Sequence, residues 1–369
     1  MVGGGLGAFI GPVHRMAAEL DGQAELVCGA FASDPQRART SGQEIYRLPA
    51  QRCYPDYEAM FAQERALPED VRMDFVVIVT PNHLHVPVAQ AALKAGFHVV
   101  CDKPLAMHVD EAVQLAEQVR ATDLKFALTH NYTGYPMIRE ARDLVSSGAL
   151  GPVRRVSCAY LQGWLAQDVQ DSKQAQWRTD PGRAGSAGCF GDIGSHAENL
   201  LSFVSGLAIE AVCADLSTFV AGRSLDDDGN VLLRLGDGAR GIISASQIAV
   251  GKENDLTLQL YGEKGGLEWR QSDANSLIVR WPDKPYEVRR SGGPGTGANA
   301  QAATRIPAGH PEGYIEAFAQ TYRDFCLDLR GLPFDDYPSI EDGLRGNRFI
   351  DAVVKSSAQD CTWVRLNAI

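Results

Sequence analysis

The apolar positions follow two different rhythms along the chain. Up to about residue 129, short continuous apolar runs alternate with stretches of helical period. Residues 97–101 are one such run. It stops at Asp102-Lys103-Pro104, and a 3.6-residue period then resumes with Val109, Ala112, Val113, Leu115 and Ala116. An unbroken run of this length reads as a parallel strand buried on both faces, and proline, which has no N–H for the ladder, ends it. Residues 24–30 and 73–79 read as further strands of this kind, and 125–129 as a short additional one. Residues 54–63 and 86–95 read as helices, the latter closed by Gly96, and a third helix follows 125–129 and runs to about Ser147. The β-α-β-α order implies a parallel sheet with helices on both faces.

After Gly148-Ala149-Leu150-Gly151-Pro152 the pattern changes. Residues 153–161, 211–220, 229–235, 241–249, 255–261, 266–269 and 276–280 are strand-length runs separated by glycine turns such as Gly236-Asp237-Gly238. They predict a second domain with a mostly antiparallel sheet. Residues 200–204 form an apolar helix, and another opens at Gly309-His310-Pro311-Glu312-Gly313-Tyr314 and runs to about residue 329. Residues 290–305 are rich in glycine and alanine and read as a mobile surface loop. A chain of 369 residues is long for one core. The expected division is one domain over 1–129 and a second over 130–369.

Composition narrows the function. The formal charge is −11 with no basic block, which argues against nucleic acid as a partner. No apolar run approaches the roughly 18 residues that a membrane helix needs, and no signal peptide is read before the first strand, so no membrane partner is expected. The eight cysteines are scattered without a C-x-x-C pair. They read as buried thiols of a cytoplasmic protein, with neither a disulfide framework nor a metal site.

The chemistry-bearing residues cluster at strand ends. Near the N-terminus, Gly3-x-Gly5-x-x-Ala8 fits the dinucleotide fingerprint, in which glycines let backbone amides approach a pyrophosphate ahead of a helix. The helix is expected to begin near Gly11, giving a long turn. Only Met1-Val2 precede these glycines, so the expectation is that the true start lies upstream. The position that reads the adenosine ribose falls at Ala32 or Ser33, with Asp34 slightly late and Arg37 on the following helix, which leaves NAD and NADP both open. Asp34-Pro35 also reads as a helix cap with proline in the first turn. The strand 73–79 runs into Thr80-Pro81-Asn82-His83-Leu84-His85, and the strand 97–101 places Lys103 at a carboxyl end, where open α/β sheets hold their ligands. Farther on, Asp192 and His196 stand four residues apart, one helical turn, with no third ligand for a metal. An aspartate paired with a histidine suits general acid–base work.

These segments together resemble the glucose–fructose oxidoreductase/inositol dehydrogenase (Gfo/Idh/MocA) family. The resemblance rests on Gly3-x-Gly5 with Gly11-Pro12-Val13-His14, on Thr80-Pro81-Asn82-His83-Leu84-His85, on Cys101-Asp102-Lys103-Pro104, and on Gly188-Cys189-Phe190-Gly191-Asp192-Ile193-Gly194-Ser195-His196 in that order. Residues 260–268, Leu-Tyr-Gly-Glu-Lys-Gly-Gly-Leu-Glu, are similar to the family's second domain. It implies an α/β protein: an N-terminal Rossmann domain and a C-terminal α/β domain with a large open, mostly antiparallel sheet, associating through that sheet as a homodimer or homotetramer. The implied activity is hydride transfer between NAD or NADP and a secondary hydroxyl of a sugar, anhydrosugar or inositol-like polyol. Lys103, Asp192 and His196 match the catalytic residues. The implied cofactor residues are Gly3, Gly5, Leu6, Gly7, Ala8, Phe9, Ile10, Ser33, Asp34, Arg37, Thr80, Pro81, Asn82, His85, Asp102, Lys103 and Asn131. Tyr132, Trp164, Trp177, Arg178 and His310 join the catalytic three as substrate contacts. Asp102 replaces a commoner glutamate, His130-Asn131-Tyr132 stand where an arginine is frequent, and the glycine loop is extended around Phe9-Ile10. The same fold also allows an NAD-assisted glycosidase or a non-catalytic sugar-responsive regulator; retention of Lys103, Asp192 and His196 together argues against the regulator.

Overall fold

The computed structural model describes residues 1–167 and 173–366. It comprises two compact units, Met1–His130 with Phe318–Leu344, and Asn131–Ala317 with Arg345–Ile369. The second boundary differs from the expected 130–369 domain, because residues 318–344 group with the N-terminal unit.

In the first unit, the described residues form a four-stranded parallel sheet in the order Val2–Gly3, Phe75–Val79, His98–Cys101, Phe126–Leu128. Val76, Ile78, Val99, Cys101 and Leu128 are fully buried, which is why these strands read as continuous apolar runs. Helices Ile10–Leu20, Tyr57–Arg65, His85–Lys94 and Val109–Arg120 follow in the expected places. Residues 24–30 do not form the expected strand. Only isolated parallel bridges occur there, Val2 with Ala30 and Gly29 with Cys53. The neighbouring strand is two residues long, so the stretch has little ladder to join. The late segment completes this unit: the Leu128 amide donates to the Pro338 carbonyl at 2.7 Å, and the Phe325 ring meets Phe75 edge-on at 5.3 Å.

The second unit holds a nine-stranded sheet among the described residues. Its order is Glu287–Arg290, Ser276–Arg280, Gly266–Arg270, Asp255–Gly262, Val153–Leu161, Arg240–Ser246, Asp228–Leu235, Ile209–Ser217, Val364–Arg365. All neighbours are antiparallel except Val153–Leu161 with Arg240–Ser246, which run parallel. The two edge strands were not legible in the apolar pattern: one is mostly charged and the other is two residues long. Helices Pro136–Ser146 and Ser195–Ser205 belong to the same core as the sheet.

Residues 290–305 are not the expected mobile loop. They include a helix, Ala298–Ala303, whose Ala300 and Ala303 are buried. Buried Glu140 on helix Pro136–Ser146 accepts from the Gly297 amide at 2.6 Å and from the Arg289 guanidinium, and Asn299 donates to Asp143 at 2.9 Å. Small side chains and polar anchors, rather than large apolar ones, hold this stretch down.

Candidate active site

The strand Val2–Gly3 delivers the chain into the glycine turn. Gly3, Gly4 and Gly7 all have positive φ, between 76° and 86°, a backbone region that side chains with a Cβ resist. A Cβ at Gly5 would collide with the Phe31 carbonyl oxygen. Leu6 and Phe9 stand exposed around the turn, and the helix behind it begins at Ile10, close to the expected start. Asp34 is the N-cap of helix Pro35–Glu44: its carboxylate accepts from the Arg37 amide at 2.7 Å. The Arg37 guanidinium in turn donates to the Leu6 carbonyl at 3.0 Å, so it reaches the turn itself, while Ser33 is exposed.

Thr80, Pro81 and Asn82 follow the second strand of the sheet, and the Thr80 hydroxyl is buried without a hydrogen bond. Asn82 is buried, and His85 lies deeper, its two ring nitrogens 2.6 Å from the Pro104 carbonyl and 3.0 Å from the Thr80 carbonyl. Burial is the main cause that lowers the His85 pKa. At the end of strand His98–Cys101, the Asp102 carboxylate accepts from the Thr129 hydroxyl and the Lys103 amide, both at 2.9 Å, and a cis bond joins Lys103 to Pro104. The residues present therefore fit a dinucleotide: a glycine turn with no room for side chains, a helix N-terminus behind it, and an unpartnered buried hydroxyl at the neighbouring strand end.

In the second unit, Asp192 and His196 sit where a π-helical turn, Phe190–Gly194, feeds helix Ser195–Ser205. The expected single α-turn is thus widened, an irregularity that recurs at functional sites. One Asp192 oxygen accepts from Arg178 Nε at 3.0 Å and from Gln247 Nε2 at 2.9 Å. His196 is buried and meets the Tyr132 ring edge-on at 4.9 Å. The Tyr132 hydroxyl is 2.6 Å from that of Tyr160, which donates to Asn254 at 3.2 Å, and burial pushes the Tyr160 pKa up to about 12. Gln162 also donates to Asn254, at 2.6 Å, and accepts from Trp164 Nε1 at 2.9 Å. The Arg178 guanidinium lies 4.2 Å from the Trp177 ring centroid and 5.9 Å from that of Trp164. A chain of contacts thus runs from Asp192 through Arg178, Trp164, Gln162, Asn254, Tyr160 and Tyr132 to His196.

Trp164, Trp177, Arg178, Tyr132, Asp192 and His196 are therefore brought together within this unit. Asn131 is also in this unit, buried with an unpartnered side-chain nitrogen. His310 is exposed, its ring bonded to the Pro307 carbonyl at 3.1 Å. Gln247, Asn254, Gln162 and Tyr160 were missed in the sequence. Tyr160 lies on strand Val153–Leu161, and Gln162 and Trp164 follow its end at two-residue spacing; Gln247 carried no such signal.

One unit carries a parallel sheet with this glycine turn and the other clamps an aspartate one turn from a buried histidine, the features of a dinucleotide-dependent oxidoreductase. Residues 1–130 match the family model described as the oxidoreductase family with NAD-binding Rossmann fold, and residues 138–268 match the Gfo/Idh/MocA C-terminal domain. The chain belongs to this Gfo/Idh/MocA oxidoreductase family. It is 31% identical to "Uncharacterized oxidoreductase YfiI" of Bacillus subtilis (strain 168), over 99% of this chain and 95% of that one. It is 28% identical to the levoglucosan dehydrogenase of Pseudarthrobacter phenanthrenivorans over 84% of each chain. A solved inositol dehydrogenase homolog from Azotobacter vinelandii, complexed with NADH and myo-inositol, superposes with a TM-score of 0.91 at 32% identity, covering 99% of this chain and 96% of that one. Among the described residues no helix is long and apolar enough to cross a membrane.

Proposed function

We propose that this protein oxidises a secondary hydroxyl of a cyclic polyol or anhydrosugar to a ketone. The observation that carries the reading is the Asp192 clamp beside buried His196, lined by tryptophan, tyrosine, glutamine and asparagine groups suited to a ring bearing several hydroxyls. The glycine turn at Gly3, Gly5 and Gly7 would hold the dinucleotide, whose nicotinamide would supply the hydride acceptor for the carbinol carbon. The hydroxyl proton passes to His196 Nε2 or Nδ1, whichever ring nitrogen is unprotonated. The Lys103 ammonium stabilises the negative charge that develops on oxygen. Asp192, held by Arg178 and Gln247, fixes substrate orientation. Trp164 offers an apolar face to the C–H side of a sugar ring, and Arg178 a fork of donors to its hydroxyls. The open sheet of the second unit is the surface through which copies associate.

The test follows nicotinamide absorbance with NAD and NADP in parallel against inositols, aldoses and anhydrosugars, with myo-inositol and levoglucosan first. Reduction with one of these polyols is the expected result. Silence across the panel, with bound dinucleotide detected, rejects the dehydrogenase. Lys103→Ala should lower turnover by roughly 10²- to 10³-fold while NADH still binds by fluorescence titration. Turnover within a few-fold of wild type would remove Lys103 from its assigned role.

A further inference from the structure

Two consecutive acids, Asp226 and Asp227, precede strand Asp228–Leu235, and neither belongs to the set of residues assigned above. Each grips a different part of the second unit. The Asp226 carboxylate accepts from the Gly188 amide at 2.6 Å with one oxygen and from the Phe190 amide at 2.8 Å with the other. Its carbonyl accepts from the Cys189 amide at 2.8 Å, so three successive amides entering the π-helical turn end on one residue. The approach is so close that a Cβ at Gly188 would collide with the Asp226 carbonyl oxygen. The turn is further tied by the Asp192 amide, which donates to the Gly188 carbonyl at 3.0 Å.

Asp227 is buried and faces the other way. Its carboxylate accepts from the amides of Phe219 and Val220, both at 2.9 Å, and pairs with Arg223 at 3.5 Å. The Arg223 guanidinium donates to the carbonyls of Leu165 at 2.6 Å and Gln167 at 2.9 Å, the backbone that follows Trp164. The Gln247 amide donates to the Asp227 carbonyl at 2.9 Å, and the Leu165 amide to the Gln247 carbonyl at 3.1 Å. A buried carboxylate that spends its lone pairs on backbone amides fixes that backbone more stiffly than an apolar contact would.

We propose that Asp226 and Asp227 are positioning residues with separate duties. Asp226 sets Asp192 and His196 for proton transfer; Asp227, through Arg223, sets the Trp164 wall that holds the substrate. The inference rests on the roles proposed for those residues. A misplacement of about 1 Å at a reacting group costs as much as 10²-fold in rate, so the two halves separate kinetically.

The experiment compares the full-length wild type with Asp226→Asn and Arg223→Ala, on the polyol that the wild type oxidises. Asp226→Asn should lower kcat by roughly 10- to 100-fold with KM within a few-fold, and Arg223→Ala should do the reverse, raising KM with kcat nearly kept. Two readouts need no turnover. The His196 titration followed by NMR should shift in Asp226→Asn, and the Leu165 amide should exchange faster in Arg223→Ala only. Where Asp226→Asn does not fold, Asp226→Glu, which keeps the charge and lengthens the arm, takes its place. Equal losses in kcat and KM in both variants, or an unmoved His196 titration with unchanged Leu165 exchange, overturn the proposal. A wild type that oxidises no polyol while the two spectroscopic shifts occur sinks the dehydrogenase reading and leaves the positioning standing.

Discussion

The burial of His14 and His85 predicts that acid destabilises the first unit. His14 is buried, with Nδ1 2.6 Å from the Tyr322 hydroxyl and Nε2 without a hydrogen bond, 4.0 Å from an Asp102 oxygen. Burial lowers its pKa, against the opposing pull of Asp102, and burial lowers that of His85 likewise. The folded rings therefore decline protons that the unfolded chain accepts at the ordinary value of 6.5. Below 6.5 the unfolded state binds more protons, so the stability from these rings is complete above that pH and is lost as pH falls toward their depressed folded values. Thermal melts should show the midpoint dropping between pH 6.5 and about 5, and His85→Gln should flatten that slope; a wild-type midpoint constant over the range would refute the assignment. Individual residues were legible to different degrees. The strand-end position of Lys103 and the helical spacing of Asp192 and His196 were readable in the sequence, but their catalytic roles were implied only by the family resemblance. Gln247 was not readable, because a glutamine near a strand end carries no signal until the fold brings it to 2.9 Å from Asp192.

At the scale of elements, the glycine turn was readable because its constraint is local. Positive φ and the absence of side-chain room are properties of the residues themselves. Gly5→Ala tests this: the added Cβ would meet the Phe31 carbonyl and the Ser41 hydroxyl, so the turn must move. Overpacking of this kind costs about 1–3 kcal/mol, and NADH affinity should fall at least about 10-fold in a fluorescence titration; unchanged affinity would show that the turn does not shape the dinucleotide site. Elements whose stability comes from elsewhere in the chain were misread. Residues 24–30 look like a strand by composition, yet strand formation needs a partner ladder, and only two bridges are offered. Residues 290–305 look mobile by composition, yet Glu140 and Asp143, some 150 positions earlier, hold them in place. The π-helical turn is a third case: four-residue spacing predicts one α-turn, and it is the amides gathered by Asp226, not the spacing, that accompany the wider one.

At the scale of the whole molecule, the change of apolar rhythm near residue 150 marked two domains and their classes, but not the return of 318–344 to the first. An amphipathic helix such as Tyr314–Leu329 shows that it has a buried face without showing which sheet that face meets. In the structure, Phe318, Tyr322 and Phe325 are buried in that stretch, Phe325 against Phe75 and Tyr337, and Tyr322 on His14. The N-terminal unit is therefore completed by residues more than 180 positions beyond its last strand. Phe325→Ala in the full-length chain measures how much that completion matters. Phe325 is fully buried, and removing such a ring costs about 3–5 kcal/mol. If Phe318–Leu344 is part of the first unit's cooperative core, amide exchange should accelerate across Phe75–Val79, His98–Cys101 and Phe126–Leu128. Strands Val153–Leu161 and Asp255–Gly262, whose core residues come from the second unit, should keep their protection. NADH affinity should fall with the first set, because the glycine turn and Lys103 both depend on that sheet. Loss of protection confined to Tyr314–Leu329 itself, with the three parallel strands unaffected, would mean that this segment is a passenger and that residues 1–130 stand as a unit without it.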